Sequence, residues 1–228
     1  MSDALRADRD RDTASRGAGA GTRRLSAVER RSQLFDVALA LFAERGYAAT
    51  TMDDIAEAAG VTKPLVYQHF ESKRALYLEI MDVFSLQLVD RIVTATAQAR
   101  GPREQVEVGM AAYFEMMVGN EAAFRLLYGR EAPDDPELGE ALRRVEDTIA
   151  QAIDPLIDAG LDPEHRLLLA YGVVGMAEGA TRHWIEGRAD RPPTAGDDGR
   201  ETSAEEASYL ATRVAALAWA GLRQVHRV

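Results

Sequence analysis

From Ser26 almost to the end of the chain, apolar positions recur at spacings of three and four. That is the period of helices with one buried face. Ser26 and Glu29 stand at capping-box spacing, Leu34, Ala38, Leu41 and Phe42 form one apolar face, and Gly46 ends the predicted first helix. Thr51 and Asp54 repeat the box, Gly60 provides a left-handed stop, and Thr62 opens another short helix with Pro64 in its first turn. Ser72 caps a long helix running to about Ala99, where Gly101-Pro102 stops it. Further helices are predicted from Pro102 to Val118, Glu121 to Tyr128, Glu137 to Ala159 and Pro163 to Gly187, with a loop over Pro133 to Pro136. A last helix is capped by Ser203, has Glu206 at the box position and ends near His226. No segment alternates with period two, so the fold class is all-α, with about nine helices in a three-helix N-terminal head and a larger helical body.

Composition adds boundaries to this pattern. Residues 1–24 alternate Asp and Arg, then turn to Ala, Gly and Thr, and are expected to be a disordered tail. Residues 25–72 form the expected head and 73–228 the body, with a Pro-, Gly- and Asp-rich mobile loop over 188–202. The glycines at 17, 19 and 21 follow no strand and precede no Gly-Lys, so they belong to the tail rather than to a phosphate loop. The 228 residues include no cysteine, which fits a reducing cytoplasm, and the apolar runs are too short and too charged for a membrane span.

The net charge of −10 argues against a nucleic-acid partner until its distribution is examined. Between Arg23 and Arg74 there are 8 basic and 7 acidic residues, and from Ala75 onward 15 basic and 26 acidic. Both lysines, Lys63 and Lys73, fall in the first of these segments. An acidic body with a locally basic end binds DNA through a few placed contacts and has weak non-specific affinity. The head also reads helix, glycine turn, helix, a helix-turn-helix pattern. Its second helix carries Lys63, Tyr67, Gln68 and His69, side chains able to meet phosphates and base edges.

Enzyme chemistry finds no support. The four histidines, His69, His165, His183 and His226, include no pair at metal-binding spacing, and no nucleophile elbow or P-loop is present. No cofactor and no metal site are expected. A scaffold or interaction protein is the other alternative to a DNA-binding function.

The string L-F-A-E-R-G-Y, then T-T-M-D-D-I-A-E-A-A-G-V, K-P-L-V-Y-Q-H-F and S-K-R-A-L-Y resembles the head of the TetR family of one-component transcription regulators. The resemblance covers about a quarter of the chain, from Ser26 to Leu78; the body is similar in architecture only. It implies a ligand-responsive repressor, or alternatively a ligand-dependent activator, that binds a palindromic double-stranded operator as a homodimer. It also implies that the second helix enters the major groove, with Thr62, Lys63, Leu65 and Gln68 facing bases and Pro64 giving an apolar contact. By the same resemblance Thr51, Tyr67, His69 and Lys73 touch phosphates, although Tyr67 is alternatively a core aromatic. Arg23 and Arg24 are either a basic arm or part of the tail.

A second likeness is to the subgroup of this family that responds to fatty acyl-CoA and controls lipid-synthesis genes. It is carried by F-R-L-L-Y, G-L-D-P-E-H-R, V-G-M-A-E-G-A-T-R-H-W and A-W-A-G-L, and implies a long-chain acyl-CoA as the small-molecule effector. Candidate pocket residues are Tyr113, Phe114, Met117, Phe124, Leu127, Tyr128, Met176, His183 and Trp184, which at helical spacing could equally be plain core. Arg125, Arg130 and Arg182 are candidates for an anionic head group. Gly172, Gly175 and Gly179, with Leu210, Val214 and Leu217 of the last helix, are candidates for the dimer face; the glycines could instead make room within one subunit.

Overall fold

The computed structural model describes residues 25–128, 136–157, 160–189 and 199–225, and the expected N-terminal tail lies outside them. Among the described residues there are nine α-helices and one short 3-10 turn, with no strand. The head holds α1 (Ala27–Ala49), α2 (Met52–Ala58) and α3 (Lys63–His69). The rest comprises α4 (Lys73–Thr96), α5 (Pro102–Gly119), α6 (Glu121–Tyr128), α7 (Pro136–Ile153), α8 (Pro163–Ala189) and α9 (Gly199–Leu222), with the 3-10 turn at Asp154–Leu156.

The starts of α1 and α2 are written locally. The Ser26 and Thr51 hydroxyls each accept a hydrogen bond from the backbone N–H three residues on, and the Glu29 and Asp54 carboxylates accept the N–H of their caps in return. Gly46, at φ 80°, breaks α1 one turn before its end, and Gly60, at φ +66°, makes the turn between α2 and α3. A side chain there would be strained whatever the room around it.

Several boundaries differ from the sequence pattern. Helix α7 stops at Ile153 instead of continuing to Ala159, because Pro155 has no N–H to donate and disfavours helical backbone at Asp154. Helix α9 begins at Gly199, so Ser203 lies inside it and is not its cap. The residues from Arg200 to Thr202 tolerate helix, and the periodic apolar pattern alone did not reach back to them.

One apolar core runs through head and body. Leu34, Ile55 and Val66, each with no exposed surface, join α1, α2 and α3, and a buried side chain of this size contributes about 1.5–3 kcal/mol. The rings of Phe42, Tyr47 and Tyr77 form an edge-to-face cluster where α1 meets α4. Arg31 reaches from α1 across to α4, where it makes a bidentate pair with Glu79, and its guanidinium lies 4.4 Å from the centre of the Phe70 ring. The Tyr77 hydroxyl donates to the Leu126 carbonyl of α6 at 3.0 Å, tying the root of α4 to the body. Within the body α5 packs most extensively on α9, and α4 lies against α5 and α7.

Candidate functional site

Helix α3 is held by Val66, which points into the head, and by Pro64 in its first turn. The opposite face presents Lys63, Pro64, Tyr67 and Gln68 to solvent, with Leu65 and His69 half-buried at its edges. Tyr67 is 45% exposed, so its ring stands on the outer face and not in the core. Thr62 is exposed, and its hydroxyl makes no capping bond to α3. Thr51, by contrast, spends its hydroxyl on Asp54, donating at 2.5 Å and accepting the Asp54 N–H at 3.1 Å. That hydrogen bond holds the Asp54 carboxyl below its usual value.

The two lysines behave differently. Lys63 donates to the Asp53 carboxylate at 2.8 Å, an exposed pair that raises the lysine above its ordinary pKa. Such a pair is readily exchanged for another acceptor. Lys73 faces inward: its ammonium donates to the carbonyls of Tyr47 at 2.7 Å and Thr50 at 2.8 Å, and lies 4.2 Å from the centre of the Tyr47 ring. Partial burial lowers its pKa. The phosphate role implied for Lys73 therefore competes with carbonyls already bound. Neither partnership was visible in the sequence, because Asp53 is ten positions from Lys63 and Tyr47 is 26 from Lys73. Arg23 and Arg24 lie outside the described residues.

The body contains a cavity of about 310 Å³ between the end of α4, the start of α5, the end of α7, the middle of α8 and the end of α9. Its wall is almost wholly apolar, with Ile92, Val106, Met110, Ile149, Val174 and Leu222 among the lining side chains. Of the seven expected pocket residues whose side chains are described, Tyr113 alone lines the cavity. Phe114, Met117 and Phe124 are fully buried core, Met176 and Trp184 pack half-buried against that core, and His183 is exposed. The side chains of Leu127 and Tyr128 lie outside the described residues. Phe114, Met117 and Phe124 fill the core, whereas the space is bordered mainly by branched aliphatics, together with Met110, Tyr113, Trp219 and Gly109. A Cβ added at Gly109 would stand 3.4 Å from Thr96 Cγ2. A glycine inside a helix costs about 1 kcal/mol against alanine, and this one, which the sequence pattern did not mark, lets α5 pass close to α4 beside the cavity. The candidate anion-binding arginines are engaged elsewhere: Arg125 with Glu121 and Arg182 with Glu178, while Arg130 lies outside the described residues.

The candidate dimer residues divide between two faces. Gly172, Gly175 and Gly179 are exposed, with nothing within 4 Å of an added Cβ, so they make no room for a neighbour inside the subunit. Leu217 of α9 is likewise exposed, as are Leu168 and Tyr171 on α8 and Tyr209 on α9, which the sequence pattern did not single out. Val214 turns into the core and Leu210 packs half-buried against it.

Fold and head together define a helix-turn-helix DNA-binding protein with an all-α body. Residues 34–80 match the model of the bacterial regulatory proteins of the tetR family. The HTH-type transcriptional activator FasR of Mycolicibacterium smegmatis is 32% identical over 171 residues, which cover 74% of this chain and 77% of that protein. The HTH-type transcriptional repressor KstR2 of Rhodococcus jostii is 36% identical over 94 residues, 41% of this chain and 46% of its own. Among solved structures, the transcriptional regulator FadR from Bacillus subtilis in complex with stearoyl-CoA superposes with a TM-score of 0.68 over 86% of this chain and 99% of that one, at 16% identity, a likeness of fold. The chain belongs to the TetR family: it is a DNA-binding transcription regulator, and its relatives are regulators, not enzymes. Among the described residues no helix is long and apolar enough to cross a membrane.

Proposed function

We propose that this regulator is a repressor that binds a palindromic operator as a homodimer and releases it when a hydrophobic effector enters the body cavity. The observation that carries this reading is the path of α4. Its first two turns are fastened to the head by Lys73 and by the Arg31–Glu79 pair, and its last turns, at Ile92 and Thr96, wall the cavity. A molecule that shifts the cavity end of α4 rotates the head and changes the separation of the two α3 helices, with a coupling of about 1–3 kcal/mol. Thr62, Lys63, Pro64, Leu65 and Gln68 then read base edges, and Thr51, Tyr67 and His69 hold phosphates. The outward apolar face of α8 and α9 supports the dimer.

The stearoyl-CoA bound by a FadR of the same fold supports an acyl-CoA as the effector. The likeness to the activator FasR supports a second reading, in which the ligand promotes DNA binding. The experiment is selection of genomic fragments by the purified protein, followed by band-shift titration of the selected site with and without acyl-CoA. A palindromic site released by ligand supports the repressor reading, and tighter binding with ligand supports the activator. Failure to select any palindromic site overturns both.

A further inference from the structure

Among its described lining residues the cavity has one charged side chain, Arg223, at the end of α9. Arg223 is exposed, and among the described residues it makes no ion pair and no side-chain hydrogen bond. Gln105, on the first turn of α5, also lines the cavity. Further in, the lining side chains are apolar apart from two hydroxyls. Thr96 donates its hydroxyl to the Ile92 carbonyl at 2.8 Å, whereas the buried Tyr113 hydroxyl, on the side toward Thr181, has no hydrogen-bond partner among the described residues. The space therefore has a polarity along its length. Its exposed end, at the start of α5 and the end of α9, is cationic and hydrogen-bonding, and its buried end is lined by aliphatic side chains and the Tyr113 ring. Eleven residues of α5 separate Pro102 from Tyr113, a rise of about 16 Å. With a volume of about 310 Å³ the cavity stands at the small end of ligand sites. It accommodates a hydrocarbon chain but no bulky head.

We infer that the cavity takes an amphiphile tail-first, and that Arg223 selects its anionic head at the mouth. The inference rests on the reading of this cavity as the effector site. A carboxylate and the phosphates of an acyl-CoA offer Arg223 the same chemistry, charge-assisted acceptance from its N–H groups. Arg at a helix C-terminus also complements the helix dipole, a role that would affect stability without affecting ligand choice.

Dodecanoate, dodecanoyl-CoA and dodecanol are titrated into the full-length protein carrying Trp184→Phe, which leaves the cavity-lining Trp219 as the one fluorescent tryptophan. The expected result is that at least one anionic probe binds about tenfold or more tightly than dodecanol, the tighter of the two naming the source of the head. Arg223→Gln should abolish that preference while leaving dodecanol affinity unchanged, and Arg223→Lys should restore much of it. Dodecanol binding as tightly as both anions, or a preference that survives Arg223→Gln, overturns the role of Arg223 while leaving the cavity in place. If no probe binds, or if Val106→Phe, folded by circular dichroism, binds them as well as the parent does, the cavity reading itself falls.

Discussion

The Lys73 ammonium donates to the Tyr47 carbonyl at 2.7 Å while lying 4.2 Å from the centre of that residue's own ring. A cation on the first turn of α4 thus closes the broken end of α1, whose carbonyls beyond Gly46 have left the helical ladder. The bond to the Thr50 carbonyl extends the closure to the start of α2.

Replacing Lys73 by Gln should therefore lower unfolding stability by about 1–3 kcal/mol, read by urea denaturation, through lost charge-assisted bonds to buried carbonyls. DNA affinity should fall with it, but the slope of log affinity against log salt should stay unchanged. A slope flatter by about one unit would return Lys73 to the phosphate contacts.

Lys63 makes the opposite case. Asp53→Asn should free the Lys63 ammonium and remove a negative charge beside the DNA-facing surface, raising operator affinity in a band-shift titration. Lys63→Ala should relax base preference at one operator position, at a cost of about 1–3 kcal/mol there. Equal loss on all sequences would assign Lys63 to the backbone instead.

Tyr77→Phe deletes the hydroxyl that donates to the buried Leu126 carbonyl. The expected cost is about 1–3 kcal/mol of stability. If this bond also transmits cavity movement to the head, the variant should show a smaller ligand effect on DNA binding at unchanged ligand affinity, measured by parallel titrations.

Acid should loosen the head. Asp54 and Glu79 are held below their usual values of 3.8 and 4.5 by hydrogen bonds from Thr51 and Arg31. A depressed folded value means that the unfolded chain takes up the proton first. Their stabilisation is complete above those usual values and is lost as pH falls through the folded ones. Glu146 acts in the opposite sense: burial, then the nearby carboxylates of Glu178 and Asp147, raise it, so its share is present at low pH and lost as pH rises. The thermal midpoint should drop below about pH 4.5, and Glu79→Gln should blunt that drop.

The outward face of α8 and α9 gives the last prediction. Leu217 is 63% exposed on α9. Leu217→Glu should leave the helical content intact and convert a dimer to monomer in analytical ultracentrifugation, with operator binding lost. An unchanged sedimentation coefficient would place the dimer contact elsewhere.

What this chain's sequence determined by itself is what lies within a few residues along it. The capping boxes at Ser26 and Thr51 and the left-handed turn at Gly60 couple positions at most four apart, and the outer face of α3 follows from Val66 being its one buried residue. The helix-turn-helix and its exposed side chains were legible for that reason. The cavity was not, because its wall is drawn from five helices between Ile92 and Val225, and an apolar residue at helical spacing reads the same whether it meets a neighbour or a void. Tertiary structure alone decided that Tyr113 faces the space while Phe114 and Met117 fill the core, that Lys73 turns inward and that Arg223 stands at the mouth. Each of those outcomes depends on where distant helices come to rest, and packing geometry sets that, not local preference.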